Sequence, residues 1–298
     1  MDGVVNVCKP MGPTSHDIVD RVRRLFGQKR VGHAGTLDPM ATGVLVVCLG
    51  KATRIVEYLT ASEKEYSATM TVGVWTDSQD STGVVLGESD ASAVSLDAIN
   101  SAAERFVGEI EQIPPMISAI KHEGKPLYKH AREGKTIERA ARRVSIHSIN
   151  VTDFRPGEHA EADMIVTCSS GTYIRTLCAD IGEVLGCGAV MSRLERTRVG
   201  AFGIADSVSL DDLEIAPESH VTGIAEALGD MPCIEVDSEG MRRVLHGMEA
   251  TTDMAMEPGA IVRIVSGGEL IAIGLVAEDG TSVRPRKVLA ESGDQSTQ

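Results

Sequence analysis

Gly32-His33-Ala34-Gly35-Thr36-Leu37-Asp38-Pro39-Met40-Ala41-Thr42-Gly43 runs directly into Val44-Leu45-Val46-Val47-Cys48-Leu49. The second stretch is an unbroken apolar run of strand length, of the kind that lies inside a sheet with both faces covered. The first is a loop rich in glycine and polar residues, with a proline restricting the backbone beside Asp38. A stiff loop delivered by a buried strand is where a fold presents reactive side chains. His33 and Asp38 are therefore candidates. The plainer reading is a turn in which Asp38 bonds its own backbone, and the pattern alone leaves both open. Phosphate-loop and dinucleotide fingerprints fail on spacing.

Before this stretch, Val4–Val7 reads as a strand that stops at Lys9-Pro10. Thr14 or Ser15 then caps a helix whose apolar stripe is Ile18, Val22, Leu25 and Phe26. Residues 30–42 read as loop throughout. After it, Tyr66, Ala68, Met70, Val72 and Val74 alternate as a strand, and Thr76–Gly83 is a loop. Leu96, Ile99, Ala103 and Phe106 recur at helical spacing up to a break at Pro114-Pro115. Ala162, Met164, Val166 and Cys168 predict another strand, Leu177, Ile181 and Leu185 a helix, and Val190–Leu194 a return to the sheet. An α/β (α+β) protein follows.

The chain changes character near Pro232. A short helix around Met241–Leu245 precedes candidate strands Ala260–Val265, Leu270–Val276 and Ser282–Val288, with Gly267-Gly268 as a tight turn. The expected organisation is a main domain over residues 1–231, a small β-rich domain over 232–290 and a disordered tail over 291–298. Catalysis is expected to need only the first of these. Residues 120–145 form a basic, weakly periodic stretch, expected as an exposed insertion.

A net charge of -14 argues at face value against nucleic acid. The distribution answers that objection. Residues 1–60 hold 8 Lys and Arg against 5 Asp and Glu, and residues 120–145 hold 8 against 3, whereas residues 201–298 hold 6 against 18. Two basic stretches remain for an RNA. The six cysteines match no zinc spacing and include no CxxC pair, so reduced thiols and no metal are expected. The start, MDGVVNV, lacks a basic region leading into an apolar core, and no apolar run is long enough to span a bilayer. A cytoplasmic protein without membrane contact is expected.

Lys9-Pro10-Met11-Gly12-Pro13-Thr14-Ser15-His16-Asp17 and GHAGTLDPMATG together resemble the two N-terminal signatures of the bacterial T-arm tRNA pseudouridine synthases, the TruB-type family. The resemblance continues through Lys64-Glu65-Tyr66, Thr76-Asp77-Ser78-Gln79-Asp80, Pro114-Pro115-Met116, Ser118-Ala119 and Gly171-Thr172-Tyr173-Ile174-Arg175-Thr176-Leu177. It implies a pseudouridine synthase fold with a large mixed, mainly antiparallel sheet and a small C-terminal PUA-like RNA-binding domain. It implies isomerisation of a uridine to pseudouridine at position 55 of the tRNA T-arm, on a flipped-out base. No cofactor and no obligate protein partner are expected, and the protein is expected to be a monomer.

Carried over residue by residue, the resemblance makes Asp38 the nucleophile, Arg175 its ion-pair partner and Tyr173 a pocket tyrosine near the proton that C5 loses. Tyr66 would stack on the uracil, His33 would fill the space left by the flipped nucleotide, and Leu194 would pack the pocket wall. Lys9 would support the active-site loop or contact phosphate, and Asp77 would belong to the surrounding or RNA-contact network. A carboxylate suits this chemistry because it can add to the base or sugar, or steady a cationic sugar, without a cofactor. The chain departs from the family pattern at Ile117, Ser170, Val190 and Glu195, each replacing a polar or basic residue there.

Two rivals belong to other classes. A non-catalytic RNA binder would keep the basic insertion yet have no need of Asp38 or Arg175. An aspartate-nucleophile phosphatase would need a DxD-type metal site, which Asp38-Pro39-Met40 does not supply.

Overall fold

The computed structural model describes residues 1–118, 120–135 and 137–290; at Lys121, His122, Tyr128, Ala131 and Arg132 it describes the backbone alone. The tail expected at 291–298 lies outside the described residues. In chain order the elements are β1 (Gly3–Lys9), α1 (Ser15–Leu25), β2 (Val31–His33), β3 (Thr42–Leu49), α2 (Val56–Ala61), β4 (Lys64–Val72), β5 (Val74–Thr76), β6 (Val85–Glu88), α3 (Leu96–Glu104) and β7 (Gly108–Gln112). Then come β8 (Lys121–His122), β9 (Lys125–Pro126), α4 (Leu127–Arg132), β10 (Arg142–Arg155), β11 (Glu161–Cys168), α5 (Ile174–Leu185), β12 (Ala189–Val199) and β13 (Phe202–Gly203). The last are α6 (Leu210–Ile215), α7 (Ile224–Ala227), β14 (Cys233–Glu235), α8 (Ser238–Leu245), β15 (Ala250–Thr251), β16 (Ile261–Ser266), β17 (Glu269–Val276) and β18 (Ser282–Val288).

The main sheet runs β1-β3-β12-β4-β11-β10-β7, with β2 paired to β3 and β13 to β12. Its pairs are antiparallel apart from the short β12–β3 contact. The expected mixed, mainly antiparallel sheet is therefore present. The run Val44–Leu49 is buried on both faces, as its composition demands. Val44, Val46 and Cys48 join one apolar cluster with Ile55 and Leu59. Leu45, Val47 and Leu49 join another with Ile18, Val19 and Val22 of α1. Thr14 caps α1 in a reciprocal capping box with Asp17, which fixes where the helix begins beside the Asp38 loop.

Three expectations change. Residues 30–42 are not loop throughout, because β2 pairs Val31–His33 with the edge of β3, a three-residue strand too short to show a period. The basic insertion ends before residue 142, since Arg142 and Arg143 already pair with Gln112 and Glu111 in the sheet. The strand expected through Val74 stops at Val72, because Gly73 takes positive φ and Val74 belongs to β5. The 14-residue β10 had no expectation attached, since two register shifts interrupt its alternation, at Ile146/Ser148 and at Val151/Asp153.

A five-stranded sheet, β14-β16-β17-β18-β15, forms the C-terminal unit, and Gly267 and Gly268 both take positive φ in its hairpin turn. No described helix is long and apolar enough to cross a membrane, and all six cysteines are free thiols. The unit is more firmly attached than the boundary at 231/232 implies. Ile273 and Leu289 sit in the same apolar cluster as Val46 and Leu59. Lys287 Nζ donates to the Arg54 carbonyl at 2.7 Å, and the Arg263 guanidinium donates to the carbonyls of Met231, Ala225 and Gly229. Removing residues 232–298 uncovers that cluster. The two large side chains alone represent about 3–6 kcal/mol of burial. The 1–231 fragment should therefore melt on the order of ten degrees below the full chain. A calorimetric scan of both checks this, and equal melting temperatures would show the contact to be incidental.

Candidate active site

The loop before β3 is held from three directions through its backbone. Lys9 at the end of β1 has no exposed surface, and its Nζ donates to the carbonyls of Pro10 (3.0 Å), Pro39 (3.3 Å) and Ala41 (2.7 Å). Ser15, the first residue of α1, both donates to the Leu37 carbonyl (2.9 Å) and accepts from the Leu37 N–H (2.8 Å). Arg196 on β12 is 1% exposed; its Nε donates to the Val44 carbonyl at 2.8 Å and its Nη2 to the Gly35 carbonyl at 3.1 Å. Gly43 makes this approach possible. It has φ +99, and a Cβ there would lie 2.3 Å from the Arg196 carbonyl oxygen.

Asp38, between these anchors, points into a cavity of about 360 Å³ lined also by Tyr66, Tyr173, Arg175, Leu194 and Ser118. Arg175 is 3% exposed and sits at the start of α5. Its Nη2 lies 3.1 Å from Asp38 Oδ2 and donates to the Ile117 carbonyl at 2.8 Å. Its Nη1 lies 3.1 Å from Asp80 Oδ2 and donates to the Ser78 carbonyl at 3.2 Å. One guanidinium thus ties the Asp38 loop, the Thr76–Gly83 loop and the segment after Pro115 together. A lysine could not span that set.

Burial pushes the Asp38 carboxyl up from its ordinary 3.8; Arg175 opposes, Asp80 adds to the rise, and Lys9 opposes. The side chain keeps 36% of its surface, so an oxygen stays reachable although protein surrounds most of it. Burial also pulls Lys9 down to about 8, with Asp38 drawing it back, and pulls the cavity-lining Lys64 to about 8. Both remain mostly charged at neutral pH. Among the described residues no cluster of His, Cys, Asp and Glu could hold a metal ion.

The structure brings Asp38, Arg175, Tyr173, Tyr66 and Leu194 around one cavity. Tyr66 is 9% and Leu194 7% exposed. His33 on β2 flanks the cavity without lining it, and burial lowers its pKa, leaving a neutral ring at neutral pH. Lys9 takes the loop-supporting place of the two offered to it; with no exposed surface it is closed to phosphate. Asp77 is exposed and accepts from the Val84 N–H at 2.8 Å, closing the β5–β6 connection away from the cavity. Reading the sequence missed Asp80, Arg196 and Gln112. Gln112 on β7 accepts from the Tyr173 N–H (3.0 Å) and donates to its carbonyl (3.3 Å), which fixes the start of α5. Asp80 stood in the quoted Thr76–Asp80 block. Arg196 was signalled only by its core-side place in a strand, two residues after Leu194.

A mainly antiparallel sheet with a carboxylate, an arginine and two tyrosines around one cavity makes this a fold of the pseudouridine synthase class. A solved Cbf5-Nop10-Gar1 complex matches it with a TM-score of 0.76 at 29% identity, covering 97% of this chain and 85% of the other. A solved H/ACA RNP bound to a substrate RNA containing 2'-deoxyuridine matches with a TM-score of 0.74 at 27% identity, over 97% and 85%. The chain belongs to the TruB family of pseudouridylate synthases. The model of that family's N-terminal domain matches residues 23–174, and that of the tRNA pseudouridylate synthase B C-terminal domain matches residues 175–251. A tRNA pseudouridine synthase B of Symbiobacterium thermophilum is 50% identical over 248 residues, 83% of each chain. One of Thermobifida fusca is 43% identical over 303 residues, all of this chain and 97% of the relative.

A raised carboxyl fixes two signs. Its folded pKa lies above the unfolded one, so the ionised form opposes folding at neutral pH and that cost disappears as pH falls through the folded value. Asp38→Asn should therefore melt no lower than wild type at pH 7, since Arg175 keeps Asp80 and two carbonyls. A fall of several degrees would mean that the Asp38–Arg175 pair holds the fold. Any step that needs the Asp38 anion should lose rate with falling pH along a limb centred above 3.8, read from single-turnover rates.

Proposed function

We propose that this chain isomerises the uridine at position 55 of the tRNA T-arm to pseudouridine, with Asp38 as nucleophile and the target base flipped into the cavity. The observation that carries the reading is the reachable Asp38 carboxylate paired to buried Arg175 at 3.1 Å, facing Tyr66, Tyr173 and Leu194. The names of the relatives supply the RNA class. The reaction breaks N1–C1′, turns the uracil about its C6···N3 line and forms C5–C1′. C5 then loses its proton and N1 gains one. The Asp38 carboxylate can take up C1′ or C6 in between, or steady the sugar cation, and Arg175 keeps it ionised. A cavity closed on the base keeps it from diffusing away between cleavage and rejoining.

Tyr66 offers its ring face to the uracil, and Tyr173 stands near where the C5 proton leaves. His33 is the uncharged ring that takes the vacated stack, compensating part of the few kcal/mol of lost stacking. The hairpin and helix between Lys121 and Arg132, with Lys125, Lys129, Lys135 and Arg139, contribute phosphate contacts that position without specifying. The C-terminal unit is an auxiliary RNA contact at most, given its acidic balance. A tRNA substrate implies work in the cytoplasm.

Asp38→Asn should bind a T-arm stem-loop almost as tightly as wild type and form no pseudouridine in single turnover with both components far above the dissociation constant. Near-normal product would defeat the mechanism. Tyr66→Phe should keep most binding and Tyr66→Ala should lose about 1–3 kcal/mol of it; equal affinity and rate for all three proteins would remove the stacking role.

A further inference from the structure

Ser118 is a cavity residue with no assigned part in the chemistry. It is 5% exposed, and its Oγ has no partner in hydrogen-bond geometry among the described residues. The Tyr173 hydroxyl is its polar neighbour: burial raises the pKa of that phenol and Ser118 draws it back. A buried hydroxyl without an acceptor is costly and needs an explanation. The explanation lies in the cavity. Ser118 lines it together with Asp38, Tyr66 and Tyr173. Its place is set by the neighbouring Ile117 carbonyl, which takes the Arg175 Nη2 proton at 2.8 Å, while the same Nη2 lies 3.1 Å from Asp38. One guanidinium nitrogen thereby fixes the distance between the Ser118 backbone and the reacting carboxylate.

We infer that Ser118 Oγ donates a hydrogen bond to a carbonyl oxygen of the target uracil, and that the bond is remade after the base turns. The inference rests on the uridine-isomerising reading. Its chemical basis is the symmetry of the turn. Rotation about the C6···N3 line exchanges N1 with C5 and, with them, O2 with O4. A donor that meets one carbonyl before cleavage meets the other before rejoining, at the same place. One fixed hydroxyl therefore serves both orientations of a base that is for a time attached to nothing. The Nη groups of Arg175 are not free to do this, because they are held by four protein acceptors.

The test uses the full chain and a T-arm stem-loop carrying uridine, 2-thiouridine or 4-thiouridine at the target, sulfur being a poor acceptor. Ser118→Ala should slow single-turnover isomerisation of uridine roughly tenfold to a hundredfold, with an unchanged RNA dissociation constant. It should melt no lower than wild type, because the removed hydroxyl has no protein partner. The rate penalty should shrink to less than about threefold on at least one thiouridine, the one whose sulfur meets Ser118 in the rate-limiting orientation. A full uridine rate for Ser118→Ala would overturn the inference. So would a slowed rate that comes with a lower melting temperature, or a penalty of equal size on all three bases. Absence of pseudouridine from the wild type would overturn the isomerase reading itself, and the inference with it.

Discussion

Two buried cations that pair with backbone instead of carboxylates hold this site together. Lys9 and Arg196 reach the Asp38 loop from opposite strands, and between them they take the carbonyls of Gly35, Pro39, Ala41 and Val44. Carbonyls carry partial charge only, so each cation stays under-compensated. That residual field falls on Asp38, and on Tyr66, whose hydroxyl burial raises and Arg196 opposes. A loop anchored by its own carbonyls leaves its side chains free. The arrangement thus holds the loop through its backbone while leaving the Asp38 side chain facing the cavity.

The same bookkeeping explains how an acidic chain can present a site to RNA. Lys64, Arg175 and Arg196 line the cavity, against Asp38 alone. The cavity is locally positive while the whole chain carries -14. Charges beyond about 8 Å are largely screened at physiological salt, so the local sum weighs more at the cavity than the total. None of the acidic residues described between 201 and 290 lines the cavity, whose wall is drawn from residues 35–196.

What could be read beforehand follows from how local each signal is. Val44–Leu49, the Thr14 cap and the alternation from Tyr66 are local, and each element lies where it was expected, save that the last strand ends at Val72 instead of Val74. Asp38 was legible because loop chemistry and family resemblance coincide on it. Arg196 was not, because a buried arginine looks like any strand residue until the loop it clamps is placed beside it by β3 and β12. Gln112 was hidden for the same reason, its partner Tyr173 being 61 residues away. Among the departures from the family pattern, Ile117 contributes its carbonyl to Arg175, so the change of side chain leaves that contact intact. Val190 is buried at 2% in β12, where an apolar residue fits the core. Glu195 faces Thr42 across the β12–β3 contact at 3.5 Å, and Ser170 stays on the cavity wall.

The carboxylate at the centre is subject to opposed demands. In the proposed mechanism Asp38 attacks as a nucleophile, whose reactivity rises with basicity, and burial raises the basicity of its carboxylate. An acid that rises too far is protonated and useless at neutral pH. Arg175 limits the rise, yet Arg175 also holds Asp80, whose own negative charge pushes Asp38 upward again. Sharing one guanidinium between two carboxylates therefore does more than bind: it weakens the grip on Asp38 relative to an exclusive pair. An exclusive bidentate pair would keep both Asp38 oxygens occupied. Here Arg175 meets Asp38 Oδ2 through a nitrogen it also gives to the Ile117 carbonyl, and 36% of the Asp38 side chain stays exposed.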